Sequence, residues 1–262
     1  VNLTKSPPPG TSGLASAWLR LRGHRPVQPT FDDLPHIPVN ICQVETLAGP
    51  ESFRETLLDN ISQAKQRILI SALYLQDDDA GREVLAALYA AKQQHPQLGI
   101  AVFVAWGRAQ RGLLGRARSA GNASFHRDMA QRLGAGVNVY GVPVQRREFL
   151  GVMHLKGFII DDKVLYSGAS LNDVYLQRHQ RYRLDRYHLI QSRTLADSMA
   201  TVLTGFFRSS AAVHPLDTGD TPKTPAIRSA IIRFRRALGK ARYPVEDGSL
   251  QADEVGITPL LG

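Results

Sequence analysis

The chain of 262 residues contains a single cysteine, Cys42. One thiol excludes an internal disulfide and a cysteine-ligated metal cluster, and it fits a reducing compartment. Cys42 itself reads as a small apolar residue of a strand. No run approaches the roughly 20 consecutive apolar residues that cross a bilayer as a helix, so no transmembrane helix is expected. The opening residues, VNLTKSPPPG, lack the apolar centre of a signal peptide. Together these absences lead to the expectation of a cytoplasmic protein. There is no internal repeat. Acidic residues are the minority charge, 23 against 32 basic, for a net charge of +9, and 25 of the 32 are arginine. Arginine grips phosphate through a planar fork, so nucleic acid, an anionic membrane or a phosphorylated substrate all fit. At 43% hydrophobic and 21% charged residues, the composition is globular and excludes a disordered or collagen-like chain.

Residues 1–38 are rich in proline, show little periodicity and read as an extension. From Val39 onward the pattern alternates between strand and helix. Val39 to Val44 reads as one strand. A helix opens at Gly49-Pro50-Glu51 with Phe53, Leu57, Ile61 and Ala64 on one face. Arg67 to Leu75 is nearly all apolar, as in a strand buried on both faces. A helix from Arg82 to Gln93, a strand from Ile100 to Trp106, a helix from Asn122 to Leu133 and a strand from Val137 to Val142 follow. Beyond Leu150 come short strands at Val152 to Leu155, Gly157 to Ile160, Val164 to Tyr166 and Tyr187 to Ile190, then a helix from Thr194 to Phe207. Residues 209–224 read as a linker, and Ala226 to Leu238 as a final helix. The expected fold class is α/β, a mixed β-sheet with helices on both faces.

The chemistry concentrates in one stretch, His154-Leu155-Lys156-Gly157-Phe158-Ile159-Ile160-Asp161. Residues two apart on a strand share a face, so His154 and Lys156 emerge together from an apolar segment. An imidazole and an ammonium side by side are poor core material and a good phosphoryl-transfer pair. The imidazole attacks phosphorus while the ammonium neutralises a non-bridging oxygen. After six more residues comes Gly168-Ala169-Ser170-Leu171-Asn172. Here a glycine admits a close ligand, while Ser170 and Asn172 supply neutral donors for phosphate oxygens.

This HxKx4D motif, followed by the Gly-Ser-Asn cluster, resembles the signature of the phospholipase D superfamily, with Ala169 interposed before Ser170. The wider text (53–81, 106–112, 139–148 and 151–176) is similar to the bacterial CDP-diacylglycerol–serine O-phosphatidyltransferases of that superfamily. The resemblance implies a phospholipase D-like repeat over 39–208, with 209–262 as a linker and basic helix leading to an absent second repeat. It also implies an active site shared between two HxKx4D motifs. This chain has one, so the second half comes from a missing C-terminal repeat or a second chain. The implied substrates are CDP-diacylglycerol and L-serine, with phosphatidylserine and CMP as products. His154 would act as nucleophile or as acid and base, and Lys156, Ser170 and Asn172 would hold phosphoryl oxygens. Asp161 would position the motif, and Asp185 would orient the histidine. No metal and no cofactor are implied, because lysine supplies the positive charge. A single-motif homodimeric nuclease and an incomplete non-catalytic half are the alternative readings, although the wider text gives no expectation of nucleic acid.

Two basic features are candidates for contact with the lipid substrate or an anionic membrane at the inner face. The first contains Arg108 and Arg111 in a segment without acidic residues. The second is the helix over 226–242, where Arg233, Arg235 and Arg236 accompany an apolar stripe of Ile227, Ile231, Phe234 and Leu238. The stripe serves equally well as a core-packing face. The acidic run Asp77-Asp78-Asp79 reads as a helix N-terminus rather than a metal site. His126, His179 and His188 read as packing or surface residues.

Overall fold

The computed structural model describes residues 34–109, 122–143, 156–218, 222, 225–246 and 248–261. The elements run β1 (Ile37–Asn40), β2 (Val44–Thr46), α1 (Pro50–Gln63), β3 (Arg67–Ala72), α2 (Asp79–Gln94), β4 (Gly99–Ala105), the one-turn α3 (Trp106–Ala109), α4 (Asn122–Leu133), β5 (Val137–Val142), β6 (Gly157–Ile160), β7 (Lys163–Ser167), β8 (Tyr187–Gln191), α5 (Arg193–Val202), β9 (His214–Pro215), α6 (Arg228–Leu238) and β10 (Glu254–Ile257). The expected strand over Val152 to Leu155, which includes His154, lies outside the described residues. So do Arg111 and the side chain of Arg108.

Eight strands form one mixed sheet in the order β2-β8-β7-β6-β3-β4-β5-β9. β3, β4 and β5 are parallel, as their helical crossovers α2 and α4 require. From β3 outward the other way, β6, β7, β8 and β2 pair antiparallel, with a tight turn joining β6 to β7. Alternation along the strands divides the core. Ile68, Ile70, Val102, Val104, Phe158 and Leu165 point to the side of Phe53, Leu57 and Ile61 on α1 and Val84, Leu85 and Leu88 on α2. Leu69, Phe103, Ile159, Val164 and Ile190 point to the other side, against Leu195, Met199 and Val202 on α5. Burial on both faces is why these strands read as apolar runs, and the expected mixed sheet covered on both sides is the observed one.

The two ends of the unit differ from the sequence reading. Val39 to Val44 is two strands in two sheets. The Asn40 side chain accepts the Cys42 N–H at 3.0 Å and folds Ile41–Gln43 into a 3-10 turn. β1 then pairs antiparallel with β10, while β2 pairs with β8. Cys42 is consequently an exposed turn residue, not an apolar strand residue. The helix expected to reach Phe207 is α-helical to Val202 and closes as a π-helical turn, Leu203–Arg208. The stretch from residue 209 onward is integrated into the unit running from His36 to Gly262. β9 pairs with β5, Leu216 is fully buried, and Ile231 and Phe234 of α6 enter the core. Phe234 lies 5.4 Å from Phe206 and 5.8 Å from Phe207, ring centre to ring centre. The apolar stripe of α6 thus packs on protein, which is the core-packing one of the two readings of this helix. Its exposed face carries Arg233 and Arg236, while Arg235 donates to the Pro143 carbonyl at 3.3 Å.

Phe234→Ala therefore lowers unfolding stability by about 3–5 kcal/mol. Arg233→Glu on the exposed face leaves it within about 0.5 kcal/mol. Urea denaturation of the two variants checks both.

Candidate active site

Because β6, β7 and β8 are successive antiparallel strands, the residue before β6, the loop after β7 and the segment before β8 meet at one end of the sheet. The carboxyl end of β3 joins them there. These connections carry Lys156, Gly168 to Asn172 and Asp185, so the fold gathers five of the residues selected from the sequence. His154 stands two residues before Lys156, outside the described residues.

The loop after β7 is held by backbone bonds to the chain leaving β3. Leu171 N–H donates to the Tyr74 carbonyl at 3.1 Å, and Gln76 N–H donates to the Leu171 carbonyl at 3.0 Å. The amino end of α2 clasps the same loop. Asp78, its N-cap, accepts from Gly81 N–H at 3.0 Å and from Asp173 N–H at 3.0 Å. Asp173 in turn accepts from Ala80 N–H at 2.8 Å. Burial pushes the Asp78 carboxyl up to about 6, against the pull of those two N–H donors. Gly81 packs so closely that a Cβ there would stand 1.9 Å from the Gln76 carbonyl oxygen.

Within this frame the Lys156 ammonium donates to the Gly168 carbonyl. Burial lowers its pKa, while Tyr175 and the Asp185 carboxylate, both within electrostatic reach, work in the opposite direction. The Asp185 carboxylate lies against Gly168, where a Cβ would come within 2.5 Å of Oδ2. A side chain at that position would push the Asp185 carboxylate away from it. Ser170 is buried, and its hydroxyl has no hydrogen-bond partner among the described residues. A buried hydroxyl gains from a partner oxygen, so this one is suited to a ligand. Asn172 accepts from Tyr175 N–H at 3.0 Å and donates to the Tyr74 hydroxyl at 3.4 Å.

Asp161 stands apart from this group, at the opposite end of β6. Its carboxylate accepts from the N–H groups of Lys65, Gln66 and Arg67 at 2.9, 2.8 and 3.0 Å. Its backbone is left-handed, with φ 51°, a conformation that Asp and Asn tolerate. Burial alone would raise its pKa. The three N–H donors and the Arg67 guanidinium outweigh burial and hold it below the usual carboxylate value.

Tyr74, Tyr175 and Arg183 were not selected from the sequence, although they belong to this group. Arg183 lies over the Tyr175 ring, 5.6 Å from its centre. A Tyr or Arg in a polar loop carries no spacing signal. Asp79, Asp173 and His179 bring one ligand atom each within 4.8 Å of one another. The His179 imidazole lies 3.2 Å from Asp79 and 3.5 Å from Asp173, so these groups can balance charge as an ion pair without a cation. His126 is buried against Phe125, and burial lowers its pKa to about 3.

Asp161→Ala leaves three N–H groups without their acceptor and strains the turn, so unfolding stability falls by about 2–4 kcal/mol. Asp161→Asn keeps the turn conformation and loses less. Because the folded-state pKa is depressed, the charge contribution is complete above about pH 4. It is lost as pH falls through the folded-state value, and Asp161→Asn flattens this acid limb. Denaturation curves between pH 2.5 and 7 check both variants.

Residues 57–201 match the family model described as cardiolipin synthase, PLD-like domain. CDP-diacylglycerol–serine O-phosphatidyltransferase of Escherichia coli (strain K12) is 50% identical over 230 residues, covering 87% of this chain and 51% of that protein. The protein of the same name from Haemophilus influenzae is 39% identical over 236 residues, covering 88% of this chain and 52% of its own length. The crystal structure of phosphatidylserine synthase from Haemophilus influenzae Rd KW20 superposes with a TM-score of 0.77 at 39% identity, over 82% of this chain and 48% of that one. The chain spans about half the length of the curated relatives it matches. The stretch matched by the family model contains Lys156, Asp161, Ser170, Asn172 and Asp185, and by that match the chain belongs to the PLD-like domain family of the phospholipase D superfamily.

Proposed function

We propose that this chain supplies one half of the active site of a phosphatidyltransferase that converts CDP-diacylglycerol and L-serine into phosphatidylserine and CMP. The observation that carries the reading is the Lys156 ammonium on the Gly168 carbonyl, in the same loop as the buried Ser170 hydroxyl, which has no hydrogen-bond partner among the described residues. This is a phosphate-oxygen seat two residues from His154, in a chain half-identical to a serine phosphatidyltransferase.

In the first step a histidine nitrogen attacks the phosphorus that bears diacylglycerol. The bond from that phosphorus to the CMP oxygen breaks, and CMP leaves with the electron pair. In the second step the serine hydroxyl gives its proton to a histidine acting as general base. Its oxygen forms the new bond to phosphorus, and the phosphorus–nitrogen bond breaks to free the first histidine. His154 is one of these two histidines, and the other comes from a second HxKx4D half. Lys156, Ser170 and Asn172 hold the non-bridging oxygens as charge builds on them. Asp185, beside Lys156 and Gly168, orients the histidine, while Asp161 fixes the β6–β7 hairpin that follows the motif. Among the described residues no helix is long and apolar enough to cross a membrane. Contact with an anionic surface is proposed through the exposed Arg233 and Arg236, with electrostatics rather than apolar insertion as its source.

CMP release from CDP-diacylglycerol in detergent micelles, with and without L-serine, tests the reaction. With a second HxKx4D half supplied, serine-dependent release that disappears in His154→Ala is expected. Cleavage of plasmid DNA without CMP release would instead make the chain a nuclease. Asp185→Asn removes a charge that favours the Lys156 ammonium, so the alkaline limb of the rate profile moves to lower pH in that variant.

A further inference from the structure

The segment between the phosphate loop and β8 holds a cation fixed by the core. Arg183 is exposed, yet its backbone is tied on both sides. Its N–H donates to the Val174 carbonyl at 3.0 Å, and its carbonyl accepts the Tyr187 hydroxyl at 3.2 Å. Tyr187 is buried and stacks against Phe53 at 4.9 Å. The side chain is held as well. The guanidinium covers the Tyr175 ring, and Nη1 donates to the Tyr175 hydroxyl at 3.4 Å. Tyr175 is itself anchored, because its N–H donates to the Asn172 side chain.

Neighbouring basic side chains have carboxylates nearby. Arg178 lies 3.9 Å from Glu83, and His179 lies between Asp79 and Asp173. Among the described residues no carboxylate forms an ion pair with Arg183. Its single phenol bond leaves most of the five guanidinium N–H donors free for an oxyanion. Two cations thus border the Gly168–Asn172 loop, Lys156 bonded to the Gly168 carbonyl and Arg183 over the ring of Tyr175, whose N–H is held by Asn172. Two cations of this kind suit two phosphates better than one, and the rigid fork of arginine favours two-point capture.

We propose that Lys156 and Arg183 form a two-cation seat for a diphosphate, in which Lys156 takes oxygens of the phosphate bonded to diacylglycerol and Arg183 takes those of the phosphate that leaves with the nucleoside. The assignment of the two phosphates rests on the transferase reading above. The seat itself requires only a nucleoside diphosphate group.

Calorimetric titration of the chain with CDP and with inorganic phosphate tests it. CDP is expected to bind more tightly than phosphate. Arg183→Gln weakens CDP binding about tenfold or more, with phosphate affected less than twofold. Arg183→Lys restores part of the loss, Tyr175→Leu reproduces it, and Tyr175→Phe, which keeps the ring, loses little. The exposed side chain lets Arg183→Gln and Arg183→Lys melt at the native temperature. Equal CDP binding by the native chain and Arg183→Gln overturns the proposal, as does CDP binding no tighter than phosphate or absent from the native chain. Phosphatidylserine formation with an unchanged KM for CDP-diacylglycerol in Arg183→Gln removes the seat and leaves the reaction. CDP held through Arg183 without any CMP release when a second HxKx4D half is supplied removes the reaction and leaves the seat.

Discussion

At the centre of the sheet β3 runs parallel to β4 on one side and antiparallel to β6 on the other, and the register of that antiparallel pair is set from one end by Asp161. Three N–H groups at the start of β3 converge on one carboxylate. The Arg67 side chain closes the junction by donating to the Asp161 carbonyl at 3.0 Å. Ile68 then faces Ile160, and Ser71 faces Gly157, which brings Lys156 level with the end of β3. A slip of one residue would turn every β6 side chain to the opposite face and carry Lys156 away from Gly168. The acidic member of the motif therefore acts on the site from a distance, through strand register.

The far end of β6 is organised by a different device. The loop after β7 is bonded to residues 74–76 and clasped by the amino end of α2 through Asp78 and Asp173. This arrangement holds Ser170 and Asn172 against the parallel half of the sheet while Lys156 and Asp185 arrive from the antiparallel half. The site is a seam between two kinds of strand pairing. Its polar groups are held by backbone bonds from both sides and are thereby preorganised.

Much of the fold was legible because burial on both faces writes itself into the sequence as apolar runs, and helices α1, α2 and α4 show their period clearly. What was misread lies where one short segment is divided between partners distant in the chain. Val39 to Val44 looks like one strand, yet Asn40 turns the chain, and its amide donates to Asp253 at 2.5 Å, 213 residues away. The stripe on α6 could face lipid or protein. Its contact with Phe206 and Phe207 settles the choice, and periodicity alone cannot identify the partner. Lys156, Ser170 and Asn172 were legible from a fixed spacing, whereas Tyr175 and Arg183 were not, since their relation is a stacking contact made by a loop.

From the sequence alone came the mixed sheet with helices on both faces, the HxKx4D motif with the Gly-Ala-Ser-Leu-Asn cluster after it, and the resemblance that names the superfamily. Each depends on local periodicity or on residues close together in the chain. Only the tertiary structure decided that Asp161 serves the start of β3, that residues beyond 209 join the core, and that Arg183 stands over the Tyr175 ring. Those relations join chain segments far apart or across a loop without periodicity, and the energy that fixes them comes from packing and hydrogen bonds that no local pattern encodes.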